Sequence, residues 1–224
     1  MNLIIVAHPD DEILGFGAAG AKLVKNGEPV KSVILCGNAD ARTKRPSDIE
    51  LFEDMLEANR LLGFDEPETG DFPNIRMNTV DHLDIVQYIE SQILKYQPKR
   101  IFTHHPSDLN NDHYQVSRAC LAASRLFQRR NEIKPLQSLH FMEIQSSTDW
   151  SFENGGDTFK PNLFIDIENE IDLKLKALAC YHNVMREHPH PRSEEAIRGL
   201  ASYRGGQSGQ KYSEAFQTIF QREL

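Results

Sequence analysis

Short apolar runs that alternate with helical patterns constrain the fold of this chain most strongly. LIIVA (3–7) and SVILC (32–36) are rich in β-branched residues, and RIFTH (100–104) repeats the arrangement further along. Continuous apolar runs of this length are typical of strands buried on both faces of a parallel sheet. Because strand–helix alternation requires crossover connections, the sequence predicts an α/β fold: a three-layer α/β/α sandwich around a mostly parallel, Rossmann-like sheet.

Apolar spacing and capping residues predict the remaining elements. Ser47 and Glu50 fit a capping box, and the helix that they open is expected to stop near Gly63. Further helices are expected over 12–25, 81–96, 116–127 and 171–181, and further strands at LHFMEI (139–144) and LFIDI (163–167). The segment 65–78 is rich in Pro, Gly, Asp and Asn and predicts a loop, whereas 212–220 is expected to form a final helix.

Length, charge and cysteine content limit the class of protein. With 224 residues the chain is expected to form one domain, spanning 1–224. The net charge of −8, without a block of Lys or Arg, argues against nucleic acid or an anionic membrane as a partner. The three cysteines are scattered without a CxxC pair, which favours reduced thiols and a cytoplasmic location. No signal peptide is expected, and no apolar run approaches the ~20 residues that a membrane span needs.

Two polar junctions follow strands of the predicted sheet. HPDDE (8–12) comes directly after the first strand, and the segment from His104 to His113 follows RIFTH. Ligands of doubly wound sheets bind outside the carboxyl ends of the strands. Both junctions are therefore expected at one crevice.

Two histidines and one carboxylate from these junctions form a candidate metal site. His8, Asp11 and His113 would provide three protein ligands and an open position, which is the pattern of a catalytic zinc ion. Asp10, beside a ligand, could then take a proton from attacking water as general base. Each motif alone also fits a helix cap, because Asp is favoured at helix starts. The coincidence of both motifs at one edge favours metal binding and, among such functions, a zinc hydrolase.

The motif AHPDDE after the first strand, with a later Asp-His pair that opens a helix, resembles the LmbE-like, or PIG-L-type, family of zinc-dependent N-deacetylases. The resemblance extends to the FPNIR loop (72–76), the THHPSDLNNDH segment (103–113) and the tail from Cys180 onward. It therefore covers most of the chain. It implies a single deacetylase domain whose tail, from about residue 180, folds over the active-site crevice.

The resemblance also implies roles for individual residues. His8, Asp11 and His113 would bind Zn²⁺ or another divalent metal, Asp10 would be the general base, and Asp112 would orient neighbouring groups. The family removes acyl groups, usually acetyl, from the nitrogen of amino sugars. The expected partner is thus a small N-acetylated amino sugar, free or linked to a nucleotide or lipid. The resemblance further favours a homo-oligomer.

One position departs from the pattern of the family. Better-known members carry His-Pro-Asp-His at the second motif, whereas this chain has Asn110 at the first of these positions. Asn can donate a hydrogen bond to an oxyanion, but it cannot shuttle a proton at neutral pH. The acid that protonates the leaving amine is left open between Asp10, His105 and His190. His104 is expected to pack at the end of its strand rather than to bind metal.

The predicted contacts with the substrate are implied mainly by the resemblance. Arg76 resembles a group that contacts sugar or phosphate, for which a planar guanidinium is suited. In the tail, Arg192 and Arg204 could each bind a phosphate group or have a structural role. Asp108 could contact sugar hydroxyls or cap its own loop. The candidate substrate-binding residues are therefore Arg76, Asp108, His105, His190 and Arg192.

Three rival functions are compatible with parts of the pattern. A phosphoacceptor receiver domain also places paired acids after its first strand, but it runs to near half this length and needs no histidine pair. A non-catalytic metal- or nucleotide-binding α/β module is the second rival, although this chain lacks a GxGxxG turn. The third is a hydrolase of another N-acyl amide, since only the pocket decides the substrate.

Overall fold

The computed structural model describes residues 1–41, 46–152 and 158–223, and over these ranges it contains one seven-stranded sheet. The strands are β1 (Asn2–Val6), β2 (Val30–Ile34), β3 (Asp65–Thr69), β4 (Arg100–His104), β5 (Ser138–Met142), β6 (Leu163–Asp166) and β7 (Ser213–Gln221). The helices are α1 (Asp11–Lys25), α2 (Asp48–Leu61), α3 (His82–Tyr96), α4 (Asn111–Ala123), α5 (Ile171–Cys180) and α6 (Glu194–Ser208). Within the same ranges, none of the helices is long and apolar enough to cross a membrane.

The strand order is β3-β2-β1-β4-β5-β7-β6. Strands β1 to β5 pair in parallel, whereas β7 is antiparallel to both of its neighbours. The first five strands therefore have the order of a Rossmann half-sheet, in which the direction of winding reverses between β1 and β4.

Helices cover both faces of the sheet. Successive residues of β1 face opposite ways, so Ile4 lies in one buried apolar cluster while Leu3 and Ile5 lie in the other. Helices α1, α2, α5 and α6 contribute to the first cluster, and α3 and α4 to the second. The predicted three-layer sandwich with a mostly parallel sheet is thereby confirmed.

Two segments differ from the prediction. Asp65–Thr69 (DEPET), expected as loop, forms β3 at the edge of the sheet, where it pairs only with β2. Edge strands accommodate charge and proline because one of their sides needs no partner. The expected final helix over 212–220 is also wrong, since Ser213–Gln221 forms β7 between β5 and β6. The spacing of its apolar residues fits either a helix or a strand, and pairing with β5 and β6 makes the segment a strand.

Helix α6 has no counterpart in the prediction. Its sequence includes three glycines, which lower helix propensity and obscure the pattern. The start signal is nevertheless present, because the Ser193 side chain accepts a hydrogen bond from the Ala196 N–H at 3.1 Å. Gly205 is required by packing, since a Cβ there would lie 2.6 Å from the carbonyl oxygen of Gln210.

A buried ion pair joins the C-terminal half of the chain to α1. Lys174 of α5 donates to Glu214 Oε1 of β7 at 2.7 Å and to the Leu14 carbonyl oxygen at 2.7 Å. Glu214 in turn accepts from the backbone N–H groups of Ala18 (3.2 Å) and Ala19 (2.7 Å). Both charged residues are buried, so each depends on the other and on the α1 backbone for compensation.

Replacement of Lys174 by Met should strongly destabilise the fold. The Glu214 carboxylate would stay buried without its cation, which costs about 3–5 kcal/mol of unfolding free energy. Urea unfolding followed by circular dichroism measures the change. Lys211→Met is the matched control, because Lys211 makes a 2.9 Å pair with Glu168 at the surface and its loss should change the midpoint little. Equal effects of the two substitutions would contradict the assigned role of the buried pair.

Candidate metal centre

The two polar junctions meet at the point where the sheet reverses its winding. Strands β1 and β4 are parallel neighbours, with Ile5 opposite Thr103, so the loops that follow them leave the same edge. Helices α1 and α4 begin directly after these loops. Their N-termini both carry partial positive charge toward the cluster of acidic side chains. This is the crevice position at which doubly wound sheets bind ligands.

Three buried side chains from the junctions converge on one point. His8 Nδ1 lies 3.3 Å from Asp11 Oδ2 and 3.3 Å from His113 Nε2, and Asp11 Oδ2 lies 3.1 Å from His113 Nε2. The ligand atoms of a tetrahedral Zn²⁺ site with bonds of about 2.0–2.1 Å are separated by about 3.3 Å. The predicted His–Asp–His set is therefore spaced as the three protein corners of such a site.

A second carboxylate lies behind each of the two histidines. Asp112 Oδ2 is 3.0 Å from His8 Nε2, and its Oδ1 accepts from the Met77 N–H at 3.0 Å. Asp108 Oδ2 lies at an ion-pair distance of 3.1 Å from His113 Nδ1. Such carboxylates fix the ring orientation of metal-binding histidines and leave the other nitrogen for the metal. Asp112 thus lies between His8 and the Met77 backbone, whereas the pairing of Asp108 with His113 was not anticipated.

Asp108 has protein partners on both of its oxygens. The Ser147 hydroxyl donates to Oδ1, the Thr148 hydroxyl donates to Oδ2 at 2.8 Å, and the Asn110 N–H donates to Oδ1 at 3.0 Å. The side chain is fully buried. This placement favours support of His113 over contact with sugar hydroxyls. A sequence signal was available, since an acid five residues before a candidate histidine ligand lies within the same polar loop.

His104 packs against the candidate ligands. Its Nε2 accepts the Ala7 N–H at 2.8 Å, and its ring stacks on that of His113 with centroids 3.8 Å apart and planes 12° apart. Burial first, and then the charge of His113, lowers the pKa of His104 to about 3. His104, Asp108 and His113 are also close enough to suggest a metal set. Stacked rings, however, cannot both point in-plane lone pairs at one ion.

Asp10 stands beside the ligand set in a strained conformation. Its φ of 98° lies in a region that side-chain-bearing residues rarely adopt. Its N–H donates to Glu12 Oε2 at 3.0 Å, and its Oδ2 accepts from Arg192 Nη1 at 3.1 Å. Glu12 is itself held by the Tyr181 hydroxyl and by Asn59 Nδ2. The conformation of Asp10 is therefore determined by partners on both its backbone and its side chain.

The remaining predicted site residues are placed differently. Asn110 caps α4, because its Oδ1 accepts the Asp112 N–H at 2.9 Å. The buried His105 ring meets the edge of Phe141 at 5.3 Å, and its Nδ1 accepts the Ser107 N–H. His190 is exposed, and its Nδ1 accepts the Arg192 N–H at 3.0 Å.

The two other arginine candidates have contrasting environments. Arg76 is exposed at a cavity of 460 Å³ lined by Asp40, Ala41 and residues 73–76. The next residue, Met77, donates its N–H to Asp112, so the chain segment that lines this cavity continues to the metal centre. Arg204 instead makes two hydrogen bonds to Glu143, at 2.7 and 2.6 Å. Arg76 is thus available to a ligand, whereas Arg204 is used within the fold.

The sequence family described as PIG-L: GlcNAc-PI de-N-acetylase matches residues 3–124, which include all three candidate ligands and Asp10. The chain belongs to the PIG-L family. The predicted membership is confirmed, and the match spans more than half of the chain. The region from β5 onward lies outside the matched residues.

Similarity to individual proteins extends over nearly the whole chain. Diacetylchitobiose deacetylase of Thermococcus kodakarensis is 25% identical over 97% of this chain and 82% of its own length. A conserved protein from Thermus thermophilus has a structure with a TM-score of 0.81, at 23% identity and with 99% and 96% of the two chains covered. The 4-carboxy-2-hydroxymuconate hydratase GalB from Pseudomonas putida has a TM-score of 0.78, at 19% identity with 100% and 97% covered. The structural likenesses establish a shared fold.

Metal binding should release protons at neutral pH. Burial alone would lower the pKa of His113, but the carboxylates of Asp11 and Asp108 raise it to about 10. The metal-free protein therefore carries His113 in its protonated form at pH 7, whereas a metal ligand must be neutral. As the pH rises toward 10 this competing proton is lost, so the apparent metal affinity should increase with pH.

Calorimetry of Zn²⁺ binding in buffers of different ionisation enthalpy measures the number of protons released. We expect at least about one proton per ion at pH 7, and fewer above pH 10. His113→Ala should weaken Zn²⁺ binding and remove the proton release that comes from His113. Binding to the unaltered protein without proton release would contradict the assignment.

Proposed function

We propose that this protein is a metal-dependent hydrolase that removes an N-acetyl group from an amino sugar or an amino-sugar conjugate. The observation that carries the proposal is the ligand set His8, Asp11 and His113 at tetrahedral spacing, beside a buried carboxylate, Asp10, that is not part of the set. Membership of the PIG-L family supports the same reaction class. The similarity to a diacetylchitobiose deacetylase supports the substrate class.

The proposed cofactor is Zn²⁺, with another divalent metal as the alternative. Two imidazole nitrogens and one carboxylate oxygen suit zinc, and three protein ligands leave a fourth position open. A divalent cation in such a site polarises an amide carbonyl and makes an adjacent water molecule more acidic. The supporting carboxylates, Asp112 and Asp108, would hold the two histidine ligands in orientation.

Asp10 is proposed to carry the proton through the reaction. Its carboxylate accepts a proton from water as the water oxygen forms a bond to the acyl carbon. The carbon–nitrogen bond then breaks, and Asp10 returns the proton to the leaving nitrogen. The immediate products are acetic acid and the free amine, and at neutral pH the acid passes its proton to the amine or to solvent, which leaves acetate, so atoms and charge balance.

The placement of Asn110 supports a single residue in both roles. Its amide oxygen is used by the cap of α4, and an amide cannot shuttle a proton at neutral pH. His105 is packed against aromatic rings, and His190 is exposed in a tail turn. Among the candidates that the sequence left open, Asp10 is next in sequence to the candidate ligand Asp11.

The cavity beside Arg76 is the proposed site for the remainder of the substrate. The segment that lines it leads directly to Met77, which binds Asp112, and Arg76 presents an exposed guanidinium that suits hydroxyl or phosphate groups. The positive charge of Arg76 would bind the phosphate of a substrate linked to a nucleotide or lipid. We further propose a single domain with the tail over the crevice, a cytoplasmic location and a homo-oligomeric state.

Asp10→Asn should abolish most turnover while it leaves metal binding intact. Loss of the proton-transfer group is expected to lower kcat about 10²- to 10⁴-fold. Metal content, measured by elemental analysis, should equal that of the unaltered protein, because Asp10 is not among the three ligands. Asp84→Asn, an exposed change on α3, is the control and should retain full activity. Unchanged kcat in Asp10→Asn would refute the base assignment.

A panel of N-acylated compounds tests the proposed reaction. Zinc-loaded protein should release amine from N-acetylglucosamine, from its disaccharide or from a nucleotide-linked form, and chelation followed by metal addition should abolish and then restore the activity. Release only from N-acyl amino acids would support the rival amide hydrolase. Full activity of the metal-free protein would refute the proposal. A hydration reaction, as named for the hydratase of the same fold, releases no amine and is distinguished by the same assay.

A further inference from the structure

We propose that Arg192 is a positioning residue for Asp10, and that the tail segment 181–192 holds the candidate base in its working conformation. The inference rests on the proposed function, because it assigns a partner to the general base of that reaction. It replaces the expectation that Arg192 binds a substrate phosphate. The region that contains Arg192 lies outside residues 3–124, which match the PIG-L family.

The tail contacts Asp10 from two directions. Arg192 Nη1 donates to Asp10 Oδ2 at 3.1 Å. Eleven residues earlier, the Tyr181 hydroxyl binds Glu12 Oε1, and Glu12 Oε2 accepts the Asp10 N–H at 3.0 Å. One end of the segment therefore fixes the carboxylate of Asp10, and the other end fixes its backbone through Glu12.

The guanidinium of Arg192 is itself fixed by the loop after β5. Arg192 Nε donates to Ser146 Oγ at 2.8 Å, and Gln145 Nε2 donates to the carbonyl oxygen of Pro191 at 3.0 Å. Two contacts thus orient the guanidinium plane and the backbone that carries it. Because Arg presents its donors in a rigid fork, an anchored Nε also determines where Nη1 points.

Asp10 needs such support because of its backbone conformation. A residue with a side chain at a φ of 98° is maintained only where its surroundings over-determine it. The Asp10 residue is 1% exposed, whereas the Arg192 side chain is 22% exposed. Arg192 is therefore the more solvent-accessible member of the pair.

Loss of Arg192 should lower kcat with little change in KM. Displacement of a reacting group by about 1 Å can cost 10²-fold in rate, so Arg192→Met is expected to lower kcat by about that factor. Metal content should be unchanged, and added methylguanidine should recover part of the activity. Arg192→Lys and Ser146→Ala should show intermediate losses. Arg198→Met, which removes a surface ion-pair residue of α6, is the matched control and should retain activity.

A double-mutant cycle separates this role from its alternatives. If Arg192 acts through Asp10, Arg192→Met should not reduce further the residual activity of Asp10→Asn. A further loss of about the same factor in that background would mean that Arg192 acts on the substrate directly, and would overturn the inference. A rise in KM with kcat retained would restore the substrate-binding prediction. Failure of the proposed function would differ from all of these, because no amine release would be seen with the unaltered protein.

Discussion

The parallel pairing of β1 with β4 is the interaction on which the candidate site depends. It places two loops that are about a hundred residues apart in sequence at one edge of the sheet, where His8 and His113 approach to 3.3 Å. The same geometry directs the N-termini of α1 and α4 toward one cluster of acidic groups. Without this pairing each loop would be an ordinary helix cap.

The site concentrates acidic groups that would repel one another in isolation. Burial, together with the nearby charges of Asp10 and Asp11, raises the pKa of Glu12 to about 8, although the hydrogen bond with Tyr181 lowers it. Burial would likewise raise the pKa of Asp11, but His113 and His8 hold it well below its usual value. The pKa values of two neighbouring carboxyl groups in one turn are thus shifted in opposite directions, because Asp11 faces histidines whereas Glu12 is buried beside two other carboxylates.

Elements that have local sequence signals could be predicted from the sequence, and so could the motif at the end of each strand. Buried strands, the Ser47 capping box and the convergence of His8, Asp11 and His113 all follow from local pattern and parallel topology. The exceptions depend on tertiary context: β7 forms because two strands accept it, and β3 is a polar edge. The support of His113 by Asp108 had only a weak local signal, an acid in the same polar loop. The pairing of Arg192 with Asp10 could not be predicted, since it depends on packing between residues far apart in sequence.

The buried pair of Lys174 and Glu214 has a consequence for how sequence changes reach the metal centre. Glu214 lies near the end of the chain, yet it binds the backbone of α1, the helix whose first residue is Asp11. Changes in the last strand can therefore shift a helix that begins with a candidate metal ligand. The later part of the chain, which lies outside the family match, is in this way mechanically coupled to the first turn of α1. Substitutions there can thus adjust reactivity from positions far from any reacting atom.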